Sequence, residues 1–346
     1  MSELFENLID LASERLGAAV VACNDEFFAP KENLTKAAAP IWLEGKYTDR
    51  GKWMDGWETR RHRDAEPGTP GVHDWCIVRL GSAGIVRGVD VDTAFFKGNY
   101  PESCAIDVSE LPLSASPDDA VRAKWTEALG QTKLNGDSHN PFVVEGSSRA
   151  THVRLRIYPD GGVARLRVYG DVVADWARHT RTGDVDLAAM QHGAVVVLCS
   201  DMFFGSRNNL ILPGDSTHMG DGWETKRRRT PGHEWTIIRL ATRGTIRRVD
   251  VDTKHFKGNA PGSCSLEAAV LEDTARARGE FDPGHATWRE LVPRVPLKPD
   301  SLHTFEREVA AVGDVTHVRL NIFPDGGVAR LRLFGRPSGA MFVSRT

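Results

Sequence analysis

The chain is written twice. The segment THVRLRIYPDGGVARLRVYG at 151–170 returns as THVRLNIFPDGGVARLRLFG at 316–335, with 16 of 20 positions identical. Three earlier blocks recur in the same order. CNDEFF at 23–28 answers to CSDMFF at 199–204, DGWETRR at 55–61 to DGWETKR at 221–227, and the stretch from His73 to that from His233. A unit this long can bury a core of its own, so the duplication predicts two tandem domains, not a solenoid of short repeats. The first repeat is assigned to 1–174, the polar stretch DWARHTRTGDV at 175–185 to a linker, and the second repeat to 186–346.

The offsets between matching blocks run 176, 166, 160 and 165. Copy one therefore carries extra residues before and after DGWET, and copy two carries extra residues before its last block. Insertions of this kind normally occupy surface loops. The first, within TKAAAPIWLEGKYTDRGKWM, holds Trp42, Tyr47 and Trp53. That is apolar for a solvated loop, and either a cover over a cleft or a loop tucked onto its own domain satisfies it.

Inside each copy the period is two. Val89, Val91 and Thr93 alternate with Asp90 and Asp92, while Val153, Leu155 and Ile157 alternate with His152, Arg154 and Arg156. Short alternating runs between turn residues predict half-buried antiparallel strands. PDGG between two such runs reads as a hairpin, and Asp-Gly in DGWET as a tight turn. Helix is scarce. Ser2 is placed to cap a first helix to about Arg15 with Gly17 ending it, and Asp186 and Gly193 bracket a shorter equivalent. The expected fold is all-β: two tandem antiparallel β-sandwiches, of jelly-roll type, with short N-terminal helices.

Charge and cysteine content limit the function. With 44 basic and 47 acidic side chains the net charge is -3, so there is no excess positive field to attract nucleic acid or a membrane surface. Five widely spaced cysteines without a CxxC fit neither a disulfide framework nor a thiolate zinc site. An acidic N-terminus without a continuous apolar run gives no targeting signal, and the cytoplasm is the expected compartment. No cofactor motif is evident. The 12 histidines include no HExxH, and a divalent metal finds no ligand motif, so the metal remains unknown at this level.

Two polar constellations recur. In DGWETRR, Glu58 stands beside Arg60 and Arg61; in DGWETKR, Glu224 stands beside Lys226 and Arg227. An acid next to a guanidinium is either a surface ion pair or an acceptor for an amide-like N–H with a clamp for a carboxylate. The loops DTAFFKGN and DTKHFKGN present Lys97 with Asn99, and Lys257 with Asn259, around a glycine, suited to an anionic hydrogen-bonding ligand or simply to a bend. His152 and His317 lie opposite the apolar face of their strands, toward solvent or a cleft.

The ordered combination of CNDEFF, DGWETRR, DTAFFKGN and HVRLxIxPDGGVARLRxxG, each present twice, resembles the allantoicase family over about residues 18–336. The resemblance implies a pair of galactose-binding-like jelly rolls and hydrolysis of allantoate to ureidoglycolate and urea. Allantoate is a carboxylate whose central carbon bears two ureido groups, and acids beside cations suit it. By chemical type, Asp25, Glu58, Asp201 and Glu224 are the candidates for proton transfer. Arg60, Arg61, Lys97, Asn99 and His152, with Lys226, Arg227, Lys257, Asn259 and His317, are the candidates for binding. Expulsion of a protonated ureido group through an imine-like carbon and direct displacement by water are both open. Mismatches between copies (Arg156 with Asn321, Tyr158 with Phe323, Phe95 with His255, Glu26 with Met202) favour one site per chain, either in one repeat with its twin structural or where the two meet. A homo-oligomer is expected. The rivals are a tandem ligand-binding protein without catalysis and a hydrolase of another ureido or guanidino compound.

Overall fold

The computed structural model describes residues 5–62, 71–271 and 286–338. The chain divides into two compact units between Val173 and Ala174. Each is built on an eight-stranded antiparallel sheet of the same topology, so the fold is all-β with a tandem repeat.

One strand organises each unit. In the first it is Asp74–Asp92, 19 residues long, whose alternating burial puts Ile77, Val89 and Val91 in the core. Its first half pairs with Ala19–Cys23 and with Arg149–Tyr158; its second half pairs with Arg165–Val172 and Pro141–Val143. Ser103–Ser109 then adds to Arg149–Tyr158. Glu234–Asp252 does the same in the second unit, with Val195–Cys199 and Val315–Phe323 on its first half and Arg330–Pro337 on its second.

This topology corrects the reading of PDGG. The strands on either side of it, Arg149–Tyr158 and Arg165–Val172, are both antiparallel to the same long strand. They therefore run in the same direction and form no hairpin with each other. The segment crosses between them and uses Gly162–Val163 to pair with Trp57–Glu58. Gly162 is required there by close approach, since a Cβ would lie 1.9 Å from Cε1 of the buried Phe96. The Asp-Gly of DGWET is likewise a packing device and not a positive-φ turn. Gly56 stays outside the left-handed region, and a Cβ on it would meet the Val163 carbonyl at 2.6 Å.

The N-terminal helices are shorter than expected. Ser2 lies outside the described residues, and Ile9–Asp10 is a strand paired with Tyr169–Gly170. Only Glu14–Leu16 is helical, a 3-10 turn that Gly17 ends at φ 93°. Met190–His192 and Gly193, at φ 108°, repeat the arrangement. Asp10 replaces a helix with a local turn, because Oδ1 accepts from the Ala12 and Val168 backbone N–H groups and ties the segment to the sheet. The segment expected as linker contains the short helix Trp176–His179, and Trp176 packs on the core of the second unit.

Candidate functional site

DGWET is placed from below. In the first unit, Arg165 is 1% exposed and its guanidinium donates to the Asp55 carboxylate at 2.8 Å and to the Asp55 backbone carbonyl at 2.9 Å. Arg330 and Asp221 reproduce the pair in the second unit, at 3.1 Å. A buried pair of this kind leaves an uncompensated charge if either partner is removed, so it fixes the motif's geometry. Trp57, fully buried, donates its indole N–H to the Asp25 carbonyl at 2.8 Å, and Trp223 does the same to Asp201. With the tryptophan turned inward, strand alternation presents Glu58 and Glu224 on the opposite side.

There the structure brings together the acid, the amide and, in the first repeat, the guanidinium. Asn99 donates its side-chain amide to Glu58 Oε1 at 2.7 Å. Arg61 donates one guanidinium nitrogen to Asp160 Oδ1 at 3.2 Å and the other to the Gly98 carbonyl at 3.0 Å. Burial pushes the Glu58 carboxyl above the ordinary carboxylate range, against the opposing pull of the Asn99 hydrogen bond and the Arg61 charge. A carboxyl that keeps its proton more readily is suited to donating it. In the second repeat Asn259 again donates to Glu224 Oε1, and its amide also meets Met219 Sδ at 3.4 Å. Arg227 is exposed, and among the described residues its guanidinium has no hydrogen-bonding partner.

Several expected site residues are employed elsewhere. Asp25 accepts from the backbone N–H groups of Phe27 and Arg60 and from Arg60 Nε at 2.7 Å. Burial works to raise this carboxyl, but those hydrogen bonds and the Arg60 charge outweigh it and hold it low. Asp201 is held down in the same way by Lys226 and Phe203, with Lys226 Nζ at 3.3 Å. Asp25 and Asp201 are thus turn anchors, with Arg60 and Lys226 as their counterions. Lys97 and Lys257 extend into water, 78% and 79% exposed, with their ammonium groups 3.8 and 3.9 Å from Asp137 and Asp300.

His152 and His317 are corrected outright. They are 0% and 2% exposed, so neither faces solvent or a cleft. His152 keeps the face of Arg154, opposite the core residue Val153, and pairs with Arg79 and Ser109; that face is covered at this position. Thr151 and Thr316 hydroxyls meet the Nδ1 atoms at 3.0 and 2.9 Å. Burial, with the nearby Arg79 charge, pushes His152 down to about 4; burial, with Arg239, pushes His317 down to about 3.

Sequence reasoning missed Asp160, which lies 3% exposed in the PDGG crossing and grips Arg61. It also missed His62 and Asp74, whose Nε2 and Oδ1 atoms stand 3.1 Å apart. The available signal was an aligned set of differences: Asn24, His62 and Asp74 answer to Ser200, Arg228 and Glu234.

The insertion of the first repeat folds onto its own domain. Tyr47–Thr48 pairs with Gly51–Lys52, Arg50 donates to the Phe27 carbonyl at 2.9 Å, and Trp42 packs 6.0 Å from Phe95, beside the Lys97–Asn99 loop. Among the described residues, no group of three or more His, Cys, Asp or Glu side chains converges to hold a metal ion. No helix among them is long and apolar enough to cross a membrane.

Comparison with known proteins agrees with the repeated architecture. The family profile described as the allantoicase repeat matches residues 9–173 and again 185–338. A probable allantoicase of Pseudomonas paraeruginosa is 50% identical over 333 residues, covering 96% of this chain and 97% of that protein. A probable allantoicase 1 of Burkholderia mallei is 46% identical over 337 residues, covering 96% of each. The crystal structure of allantoicase from Saccharomyces cerevisiae superposes with a TM-score of 0.78 at 36% identity, covering 96% of this chain and 94% of that one. On this evidence of profile, sequence and fold together, the chain belongs to the allantoicase family.

Proposed function

We propose that this chain hydrolyses allantoate to ureidoglycolate and urea, in a cytoplasmic step of purine breakdown, at a site in its first repeat. One observation carries the placement: Glu58 is held by Asn99 beside Arg61, whose guanidinium is itself fixed by Asp160. Arg61 offers charge to the substrate carboxylate. Asn99 and the free side of the Glu58 carboxyl address ureido oxygen and N–H groups. Charge-assisted contacts of this kind contribute about 1.5–3 kcal/mol each, so a few of them orient a ligand of this size.

In the reaction, water oxygen bonds to the central carbon, and the bond from that carbon to one ureido nitrogen breaks. The bonding pair goes to the nitrogen, which takes up a proton as water gives one away. Glu58, with its raised affinity for a proton, supplies the acid. The homo-oligomer belongs to the same proposal, supported by the consecutive exposed side chains Met202, Phe203 and Phe204, of which Phe203 is 71% exposed. Light scattering of the purified chain reads its mass.

The test is direct: incubate the purified chain with allantoate, with and without chelator, and measure urea. Urea released in step with allantoate loss supports the proposal. Retention of allantoate without turnover favours a binding protein, and turnover of other ureido compounds alone favours the rival hydrolase.

A further inference from the structure

Three aligned positions change together between the repeats, and they change the chemistry next to the candidate site. In the second repeat, Arg228 donates to Glu234 Oε1 at 2.7 Å and Ser200 donates to Glu234 Oε2 at 2.5 Å, so both carboxylate oxygens are engaged. This is a closed ion pair, in which the guanidinium can only donate. In the first repeat the carboxylate is shortened to Asp74, and the guanidinium is replaced by the imidazole of His62. Asp74 Oδ1 receives Asn24 Nδ2 at 2.6 Å and His62 Nε2 at 3.1 Å.

Asp74 is 1% exposed, and among the described residues its Oδ2 has no hydrogen-bond partner. A buried carboxylate oxygen left without a partner carries a substantial desolvation cost, which folding alone gives no reason to retain. The His62 side chain, by contrast, is 35% exposed. With Nε2 turned to Asp74, Nδ1 is the nitrogen left for a partner outside the pair. A half-exposed imidazole backed by a buried carboxylate has the arrangement of a general base with its orienting group.

The pair is wired to the acid cluster by a single side chain. Asp160 accepts the His62 backbone N–H on Oδ2 at 2.7 Å and the Arg61 guanidinium on Oδ1 at 3.2 Å. Arg61 reaches the Gly98 carbonyl, and Asn99, the next residue, reaches Glu58. Consecutive residues thus hold the imidazole and the carboxyl of Glu58 in one framework.

We propose that His62 is the general base of the first repeat, with Asp74 as its positioning residue, and that the second repeat lost or never had this function. The inference rests on the allantoate-hydrolysing reading above. His62 Nδ1 takes a proton from the attacking water, whose oxygen bonds to the central carbon. The carbon–nitrogen bond breaks, its electron pair goes to the ureido nitrogen, and Glu58 protonates that nitrogen. Return of the imidazolium proton to Glu58 through water resets both groups.

The experiment compares the full-length wild type with H62G, H62N, D74N, D74E and R228K, measuring urea release from allantoate and checking fold by circular dichroism. H62N is expected to lower kcat by about 100-fold or more with little change in KM. Added imidazole is expected to restore part of the activity of folded H62G. D74N is expected to lower kcat and leave KM near wild type, and D74E to recover part of that loss. R228K, in the second repeat, is expected to stay within about threefold of wild type. Folded H62N and H62G that turn over at the wild-type rate would overturn the assignment to His62. Loss of activity in H62G without imidazole rescue, together with equal loss in R228K, would reduce the pair to a structural role. A wild type that releases no urea from allantoate defeats the functional reading itself, an outcome separate from these.

Discussion

The two repeats share a scaffold and differ in what they leave available at its surface. Both bury an Asp–Arg pair beneath DGWET, and both turn a glutamate toward an asparagine on the glycine loop. Among the described residues, only the first fixes its arginine, Arg61, between Asp160 and Gly98, and only the first places a histidine against a buried aspartate. The first also carries the aromatic hairpin, whose Arg50 covers Phe27 with its guanidinium 5.1 Å from the ring. In the second repeat the matching residue, Phe203, is 71% exposed. The Asp–Arg pair and the Glu–Asn pair are thus common to both copies, and the proposed proton-handling groups lie where the copies differ. Duplication supplied two copies of a framework, and the proposed reading equips one of them with the proton-handling groups.

The largest effect that could break this contrast is on stability of the first unit. D55A removes one partner of a nearly buried pair and leaves Arg165 uncompensated. The expected loss is about 3–5 kcal/mol, read by denaturant unfolding as a lowered midpoint for that unit. A change below 1 kcal/mol would mean that the guanidinium finds other partners and that the pair does not set the motif's geometry.

A middle-sized effect sharpens the role of the buried histidines. His152 and His317 sit near 4 and 3 in the fold, below the ordinary value of 6.5. Their folded forms therefore resist protonation that the unfolded chain accepts. Stability is fully retained above about pH 6.5 and falls as pH drops from there toward 4 and 3. Below those values the contribution levels off. Replacing either histidine with leucine is expected to remove about one proton's worth of slope from stability in that window. A pH dependence identical to wild type would show that the imidazoles are not shielded.

The smallest effect concerns the exposed lysines. K97A and K257A are expected to change urea release by less than about twofold, since screened surface ion pairs contribute roughly 0–1 kcal/mol. A large rise in KM for K97A would return that residue to the substrate-binding set.

The legible part of this molecule was the part written by period and repetition. Alternation at Val153, Leu155 and Ile157 gave the core face, and all three are fully buried. Matching blocks gave two similar domains. What escaped were features set by long-range pairing. PDGG looks like a hairpin locally, yet its flanking strands share one antiparallel partner, and this turns the segment into a crossing that delivers Asp160. His152 follows the alternation and faces as Arg154 does, but that face is covered at its position, and it is fully buried. Asp25 and Arg60 are 35 residues apart and satisfy each other, a pairing that composition and spacing do not reveal. The pairing of Glu58 with Asn99 joins the two recurring polar motifs, whereas His62 required comparing the copies where they differ.

The most direct measurement of the central claim is urea release from allantoate by wild type, E58Q and E224Q, each assayed as folded full-length chain. Catalysis in the first repeat predicts that E58Q falls by about 100-fold or more while E224Q stays within about threefold of wild type. Equal, severe loss in both variants, or loss confined to E224Q, would contradict it.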